Sequence, residues 1–228
     1  MVTLFSNMTL TIPIVTLTIL LVTFIFSTRA FNNDELFNKF LFNAYAIKNY
    51  KEKYRFLSHA FLHSDYGHLI INMFVLYTFG QTLECGFFPI VFGKYSTLIY
   101  ILLYTGGIYA SSAVDYFRHQ NNKYYNAVGA SGAVSALVFS SIILSPNSKM
   151  GIIFIPFIHL PAWVFGLLYL AYSFYMDKNK NDQIAHGAHA WGALFGFLFT
   201  GIMDLIIANP EMNERIFVLF FKQIVSIF

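Results

Sequence analysis

The chain has 228 residues, 57% of them hydrophobic and 11% charged, whereas soluble globular domains carry roughly 25% charged residues. A formal charge of +3, scattered along the chain, lacks the basic stripe of a nucleic-acid partner and excludes that class. The single cysteine, Cys85, excludes an intrachain disulfide and a CxxC metal site. What remains is an integral, multi-pass membrane protein: one domain, residues 1–228, in contact with the lipid bilayer.

A helix needs about 20 mostly apolar residues to cross a hydrocarbon core of about 30 Å. Six stretches come near that length, at about 10–27, 68–88, 96–117, 131–144, 152–175 and 184–208. The expected fold class is therefore an all-α membrane protein with a six-transmembrane-helix bundle. The first stretch has no Lys or Arg before it and no small-residue cleavage site after it, so it reads as an anchor rather than a signal peptide. The apolar tail 211–228 reads as an interfacial segment.

Between the first two spans, residues 29–67 form a long, half-polar loop in which Leu36, Phe37, Phe40 and Leu41 recur at near-helical spacing. It reads as an interfacial amphipathic hairpin or as an element partly embedded beside the bundle. The fourth span is short: its 14 residues reach only about 21 Å, about 9 Å less than the core. If its far end meets one interface near Pro146, then Ser131 lies below the other, and the loop 121–126 dips inward. Non-helical backbone at membrane depth persists only against protein or a water-filled cavity, so a wet pocket with Ser131 at its floor is expected.

Polar groups inside a membrane need a reason to be there. His68 and Asn72 are four apart near the start of the second span and share a helix face. His189 lies about one turn into the sixth, followed by Gly192 and Gly196, a GxxxG step that admits a close helix neighbour. Even-numbered spans run in one direction, so His68, Asn72, Ser131 and His189 gather at one side and at similar depth. A serine hydroxyl becomes a nucleophile when a base takes its proton, and His189 can supply that imidazole. The helix N-terminus at Ser131 presents unpaired N–H groups and a positive dipole end that suit an oxyanion, and His68 and Asn72 can add donors. Gly129 and Gly132 let backbone approach a reacting carbonyl. Asp115, Asp177 and Asp182 are badly placed to orient His189. Ser131 as a plain helix N-cap and His189 as a packing histidine are the bland alternatives.

In order and spacing, from about Tyr54 to Gly201, these residues resemble the rhomboid intramembrane serine proteases. Tyr54-Arg55 followed by His59-x-x-x-His63 is similar to their first-loop signature, and His68-x-x-x-Asn72 to their second-helix motif. Gly129-Ala130-Ser131-Gly132 resembles their GxSG, and Ala188-His189 through Gly192 to Gly196 their sixth-helix motif. The resemblance implies a rhomboid bundle and a serine-type endopeptidase that cuts transmembrane segments of other membrane proteins. It implies Ser131 as nucleophile and His189 as base, with His68, Asn72 and the backbone at Ser131 and Gly129 as oxyanion hole. Arg55, His59, His63, Gly132, Gly192 and Gly196 would be structural supports, and no cofactor or metal is implied. Three departures stand out: Tyr54 for a tryptophan, Ser135 for an aromatic residue beside the imidazole, and Trp191 for a small residue.

Two other classes compete. One is a catalytically inactive rhomboid-like protein that binds membrane clients; the other, a histidine-ligated metal or haem protein, lacks an HExxH motif. The first, third and fifth loops carry ten of the 14 Lys and Arg, which places the active-site side in the cytoplasm by the positive-inside rule. The resemblance implies the opposite topology, which is preferred because six of the ten lie in the long first loop. The expected membrane is a bacterial plasma membrane, since no organelle signal is evident. Substrate identity and oligomeric state are not encoded legibly.

Overall fold

The computed structural model describes residues 12–152, 155–179, 185–207, 212 and 214–226, and these are mostly helical. Helix α1 (Ile14–Ala30) begins after Pro13 and is capped from a distance, because the Glu84 carboxylate accepts the N–H groups of Val15 and Thr16, each at 2.8 Å. That places a negative charge on the positive end of the helix dipole.

The long loop resolves into short helices, the first two of them started by a side-chain cap. Asn33 and Asn43 accept from Leu36 and Ala46 to open α2 (Asp34–Phe40) and α3 (Ala44–Asn49). A single turn, α4 (Arg55–Ser58), runs into a 3₁₀ turn at His59–Phe61. Two small apolar clusters hold these pieces to the bundle: Leu41 and Leu62 with Phe37 and Phe40, and Phe42 and Ile47 with Phe56 and Tyr116. The loop is thus a packed element, and α3 and α4 rest on the helix at Ser96–His119.

Asp65 opens α5 (Tyr66–Gln81) by accepting from the His68 N–H at 2.8 Å. The second span, expected at 68–88, loses its regularity at Thr82–Phe87, a π turn, before α6 (Phe88–Phe92). Pro89 explains the break, since its missing N–H and its ring disrupt the preceding turn. Gly93, with φ of +51°, reverses the chain into α7 (Ser96–His119), and Phe88 packs back against Tyr100.

Helix α8 (Ser131–Leu144) stands at the centre, touched by α5, α7 and the three helices that follow it in the chain. All its residues are buried except Ser131 and Val138. The fifth helix was expected from 152, but 149–161 instead pairs as an antiparallel hairpin, β1 (Lys149–Ile152) with β2 (Ile155–Pro161). Prolines at 156 and 161 disfavour helical backbone in the residues before them, so α9 (Ala162–Asn179) starts only past Pro161. Helix α10 (His186–Ile206) is shorter than the expected 184–208, and 184 and 208 lie outside the described residues, as do 10 and 11 of the first span. The tail forms α11 (Ile216–Val225), which buries Ile216 and Phe220 against the bundle; the Asp204 carboxylate accepts the Ile216 N–H at 3.0 Å.

Among the described residues, two helical stretches are long and apolar enough to cross a membrane by length and composition, Tyr66–His119 and His186–Ile206. The first of these is interrupted at Gly93, whose positive φ separates α6 from α7. Outward faces carry large apolar side chains, among them Ile70, Phe74, Leu98, Leu167 and Leu205, as a lipid-facing surface requires.

Candidate active site

Two glycines set the distance between α8 and α10. A Cβ on Gly192 would overlap the Gly132 carbonyl, and one on Gly196 would overlap that of Ala136, so the backbones are in direct contact. Gly132 itself faces Ser111 of α7. This approach brings the first turns of the two helices together. Ser131 Oγ and His189 Nε2 are 2.7 Å apart. For Nε2 to accept the serine hydroxyl, the proton of neutral His189 must sit on Nδ1.

Gly129 adopts φ of +122°, a backbone state that side chains disfavour. A Cβ there would lie 2.9 Å from His68 Cε1, 3.1 Å from His68 Nε2 and 3.7 Å from Ser131 Oγ. His68 therefore converges on the serine across a gap that only glycine leaves open. Its Nδ1 is 3.1 Å from Ser64 Oγ, which leaves Nε2 on the Gly129 side. Asn72 is buried on the same wall and donates to the His68 carbonyl at 2.9 Å. One expectation changes here. The Gly129 N–H donates to the His59 carbonyl at 3.0 Å, so it is committed to holding the loop and is not offered as an oxyanion donor.

The loop before Ser131 hangs from the first-loop element. Phe42 and Ala127 exchange two backbone hydrogen bonds, at 2.9 and 3.1 Å. The Asn43 amide donates to Lys123 O, Tyr125 O and Asn126 Oδ1. Arg55, nearly buried, donates to the carbonyls of Asn38 (2.9 Å) and Leu41 (2.7 Å) and to Glu52 (2.5 Å). Tyr54 and Ser58 add bonds to Lys39 O and Phe40 O. Arg55 and its neighbours thus cap the C-terminal end of α2, where cations and donors are favoured.

His59 and His63 are buried and neutral. Burial holds the His59 ring down to about 4, partly offset by the Phe56 carbonyl. Burial, and then the neighbouring His68, hold His63 down to about 3, with Asp65 opposing. His63 stands edge-on to His68 at 4.9 Å, and its Nδ1 is fixed by Ser27 Oγ at 3.0 Å, the same hydroxyl donating to Phe61 O. His63 therefore braces His68 from behind. His186 packs edge-on to both Tyr172 and His189.

Two of the three aspartates expected to be badly placed to orient His189 reach the cavity wall through bonds to other residues. Asp115 and Asp177 both line the cavity over Ser131. Asp115 accepts from Tyr125, whose hydroxyl burial and the carboxylate push upward, and Tyr125 is stacked on His119 at 3.6 Å. Asp177 accepts from Arg118 at 2.7 Å and lies over Gly187 at the start of α10. Asp182 lies outside the described residues. The three departures each find a partner: Tyr54 the Lys39 carbonyl, Ser135 the Tyr169 hydroxyl at 2.7 Å, and Trp191 the edge of Phe174. Asn43 and Tyr169 were not foreseen; an asparagine before a short apolar helix was the only available signal for the former.

The cavity, about 1490 Å³, holds Ser131, His189, His68 and Asn72 at one end and continues down the bundle between α5 and α9. Among the described residues no group of three or more His, Cys, Asp or Glu could hold a metal.

The Rhomboid domain family matches residues 50–204, more than half of the chain. The chain belongs to the rhomboid family. This rhomboid is 28% identical over 146 residues to RHOMBOID-like protein 12, mitochondrial, of Arabidopsis thaliana, a match covering 60% of the chain and 42% of that protein. It is 27% identical over 153 residues to Presenilin-associated rhomboid-like protein A, mitochondrial, of Danio rerio, covering 62% and 35%. The matches therefore span less than half the length of either relative. Membership makes the chain a membrane-integral protein.

Proposed function

We propose that this rhomboid is an intramembrane serine endopeptidase. The observation that carries the reading is the 2.7 Å hydrogen bond between Ser131 Oγ and His189 Nε2 at one end of a cavity of about 1490 Å³. His189 Nε2 takes the serine proton as Oγ attacks the carbonyl carbon of the scissile bond. The oxyanion that forms lies at the first turn of α8, where the Ser131 N–H begins a set of donors with no intrahelical acceptor. The His68 ring, across Gly129, and the second amide hydrogen of Asn72 supply further donors. His189 then gives its proton to the leaving amine, and the same nitrogen later activates the water that hydrolyses the acyl-enzyme.

The proposed membrane arrangement is the six-span bundle, with the first-loop element partly embedded and the serine end facing outward. The substrate is a transmembrane segment of another protein that enters from lipid between α5 and α9. The proposed location is a bacterial plasma membrane; the mitochondrial location belongs to the names of the two relatives. The test is cleavage of a model single-helix substrate by purified protein, with Ser131→Ala and His189→Ala beside wild type. Cleavage by wild type and loss of at least about 1,000-fold in both folded variants is expected. Wild-type inertness on several substrates would leave a client-binding protein.

A further inference from the structure

The first-loop element encloses a second cavity, of about 490 Å³, between α2, α3 and the loop that leads to Ser131. Two cations line it, Arg55 and Lys123, against one carboxylate, Glu52. That carboxylate is already engaged by Arg55 Nε at 2.5 Å. Arg55 is 8% exposed, and its Nη1 spends both hydrogens on the carbonyls of Asn38 and Leu41. Its Nη2 has no partner among the described residues, yet it is not sealed from solvent as other unpaired buried groups are. A guanidinium N–H this deep in protein normally finds an acceptor, and the cavity that Arg55 lines is where one can sit. Other donors border the same space. Asn126 keeps its Nδ2 hydrogens, because its Oδ1 accepts from Asn43. The Lys123 ammonium lies over the Tyr124 ring, and it and the hydroxyls of Tyr45 and Tyr50 bond to no protein atom among the described residues.

We propose that this cavity binds a phosphate group, carried by an anionic lipid headgroup or free in solution. A half-used guanidinium offers the planar donor geometry that phosphate oxygens accept, and Lys123 adds a point charge. The volume falls within the range of about 300–1,000 Å³ that small-ligand sites occupy. Tyr50 and Tyr54 stand exposed beside it, as aromatic side chains do at the level of lipid headgroups, where basic residues attract anionic lipid. The cavity shares Asn43, Lys123 and Asn126 with the hydrogen bonds that suspend the loop before Ser131. A bound phosphate therefore joins Arg55 to that loop through its own oxygens and holds the approach to α8 more firmly. The inference does not depend on the protease reading of Ser131.

The test follows the Tm of full-length protein in dodecyl maltoside, at constant ionic strength set with sodium chloride. The probes are sodium phosphate, dioctanoyl-phosphatidylglycerol and, as a control without phosphate, dioctanoylglycerol. In wild type, a phosphate-bearing probe should raise Tm saturably, by about 3–6 °C at tenfold above its Kd. A rise with phosphatidylglycerol alone assigns the site to a lipid headgroup, and a rise with inorganic phosphate shows that the free ion suffices. The midpoint of the titration should move up by about tenfold or more in Lys123→Ala and in Arg55→Lys. It should stay at the wild-type value in Lys94→Ala, a lysine of the turn after α6 that does not line the cavity. Should Arg55→Lys fail to fold, Lys123→Ala decides, because it leaves the backbone bonds of the loop in place. No saturable rise with either phosphate compound overturns the inference, as does an equal rise with dioctanoylglycerol. An unchanged midpoint in either cavity variant also overturns it, since phosphate would then stabilise the protein without entering this site.

Discussion

The N–H of Gly129 donates to the carbonyl of His59 at 3.0 Å, so the residue two positions before Ser131 is suspended from the long first loop. With the Phe42–Ala127 pair and the Asn43 amide, that bond fixes the entry into α8 from outside the bundle. The position of the serine is therefore a tertiary property of residues 42–59 as much as of α8 itself.

Removing the anchors should misplace the serine before it unfolds the protein. Asn43→Ala breaks the bonds to the carbonyls of Lys123 and Tyr125 and to the Asn126 side chain. We expect turnover to fall by about tenfold or more with a small change in Tm, because α8 stays packed; misplacement of a reacting group by 1 Å can cost about 100-fold. Equal losses of activity and Tm would show that the loop is needed for folding instead.

Arg55 acts on the loop as a whole. Arg55→Ala leaves the carbonyls of Asn38 and Leu41 without their donor and should cost about 1.5–3 kcal/mol, the range for bonds to a charged group. Arg55→Lys should rescue little, because an ammonium cannot reproduce the guanidinium fork. Thermal unfolding in detergent checks both, and full rescue by lysine would contradict the geometry.

The α8–α10 contact has no room for a methyl group. Gly192→Ala and Gly196→Ala each push a Cβ into a backbone carbonyl of α8, and should cost about 1–3 kcal/mol or more. Both should also widen the Ser131–His189 distance, so activity falls in whatever fraction remains folded. Tm and specific activity measured together test this, and near-wild-type values for either variant would mean that the helices are not in backbone contact.

Acid should weaken the first loop. His59 and His63 titrate near 4 and near 3 in the folded protein, below the unfolded value of 6.5. Between those values the unfolded chain binds more protons, so the stability they confer is complete above about pH 6.5 and is lost as pH falls toward 4 and below. The slope is at most about 1.4 kcal/mol per pH unit for each ring. Tm should drop between about pH 7.5 and pH 5, and His63→Gln should flatten part of that drop. A profile that does not change in His63→Gln would contradict a buried neutral ring at 63.

The centre of the site was legible because its chemistry is local in type and periodic in placement. Serine between glycines at a helix start, histidine one turn into another apolar helix and the Gly192–Gly196 step all survive as sequence patterns. The short fourth helix, 131–144, was legible for the same reason: Pro146 ends the apolar run soon after Leu144. The hairpin at 149–161 was not, because a run of apolar residues reads as helix or strand alike and only Pro156 and Pro161 spoke against helix. Nor was the use of the Gly129 N–H, since which acceptor a loop amide finds depends on contacts 70 residues apart. That Asp115 and Asp177 reach the cavity wall was not legible, because it depends on how α7 and α9 are rotated about their axes, which composition does not reveal.

The most direct measurement is covalent labelling of the purified protein by a fluorophosphonate, mapped by mass spectrometry in wild type, His189→Ala and Asn43→Ala. A serine activated by an imidazole at 2.7 Å should carry the adduct at Ser131 in wild type. Labelling should be lost in His189→Ala and slowed in Asn43→Ala. No adduct at Ser131 in folded wild type, or equal labelling in His189→Ala, would contradict the claim that these two residues form a working nucleophile and base.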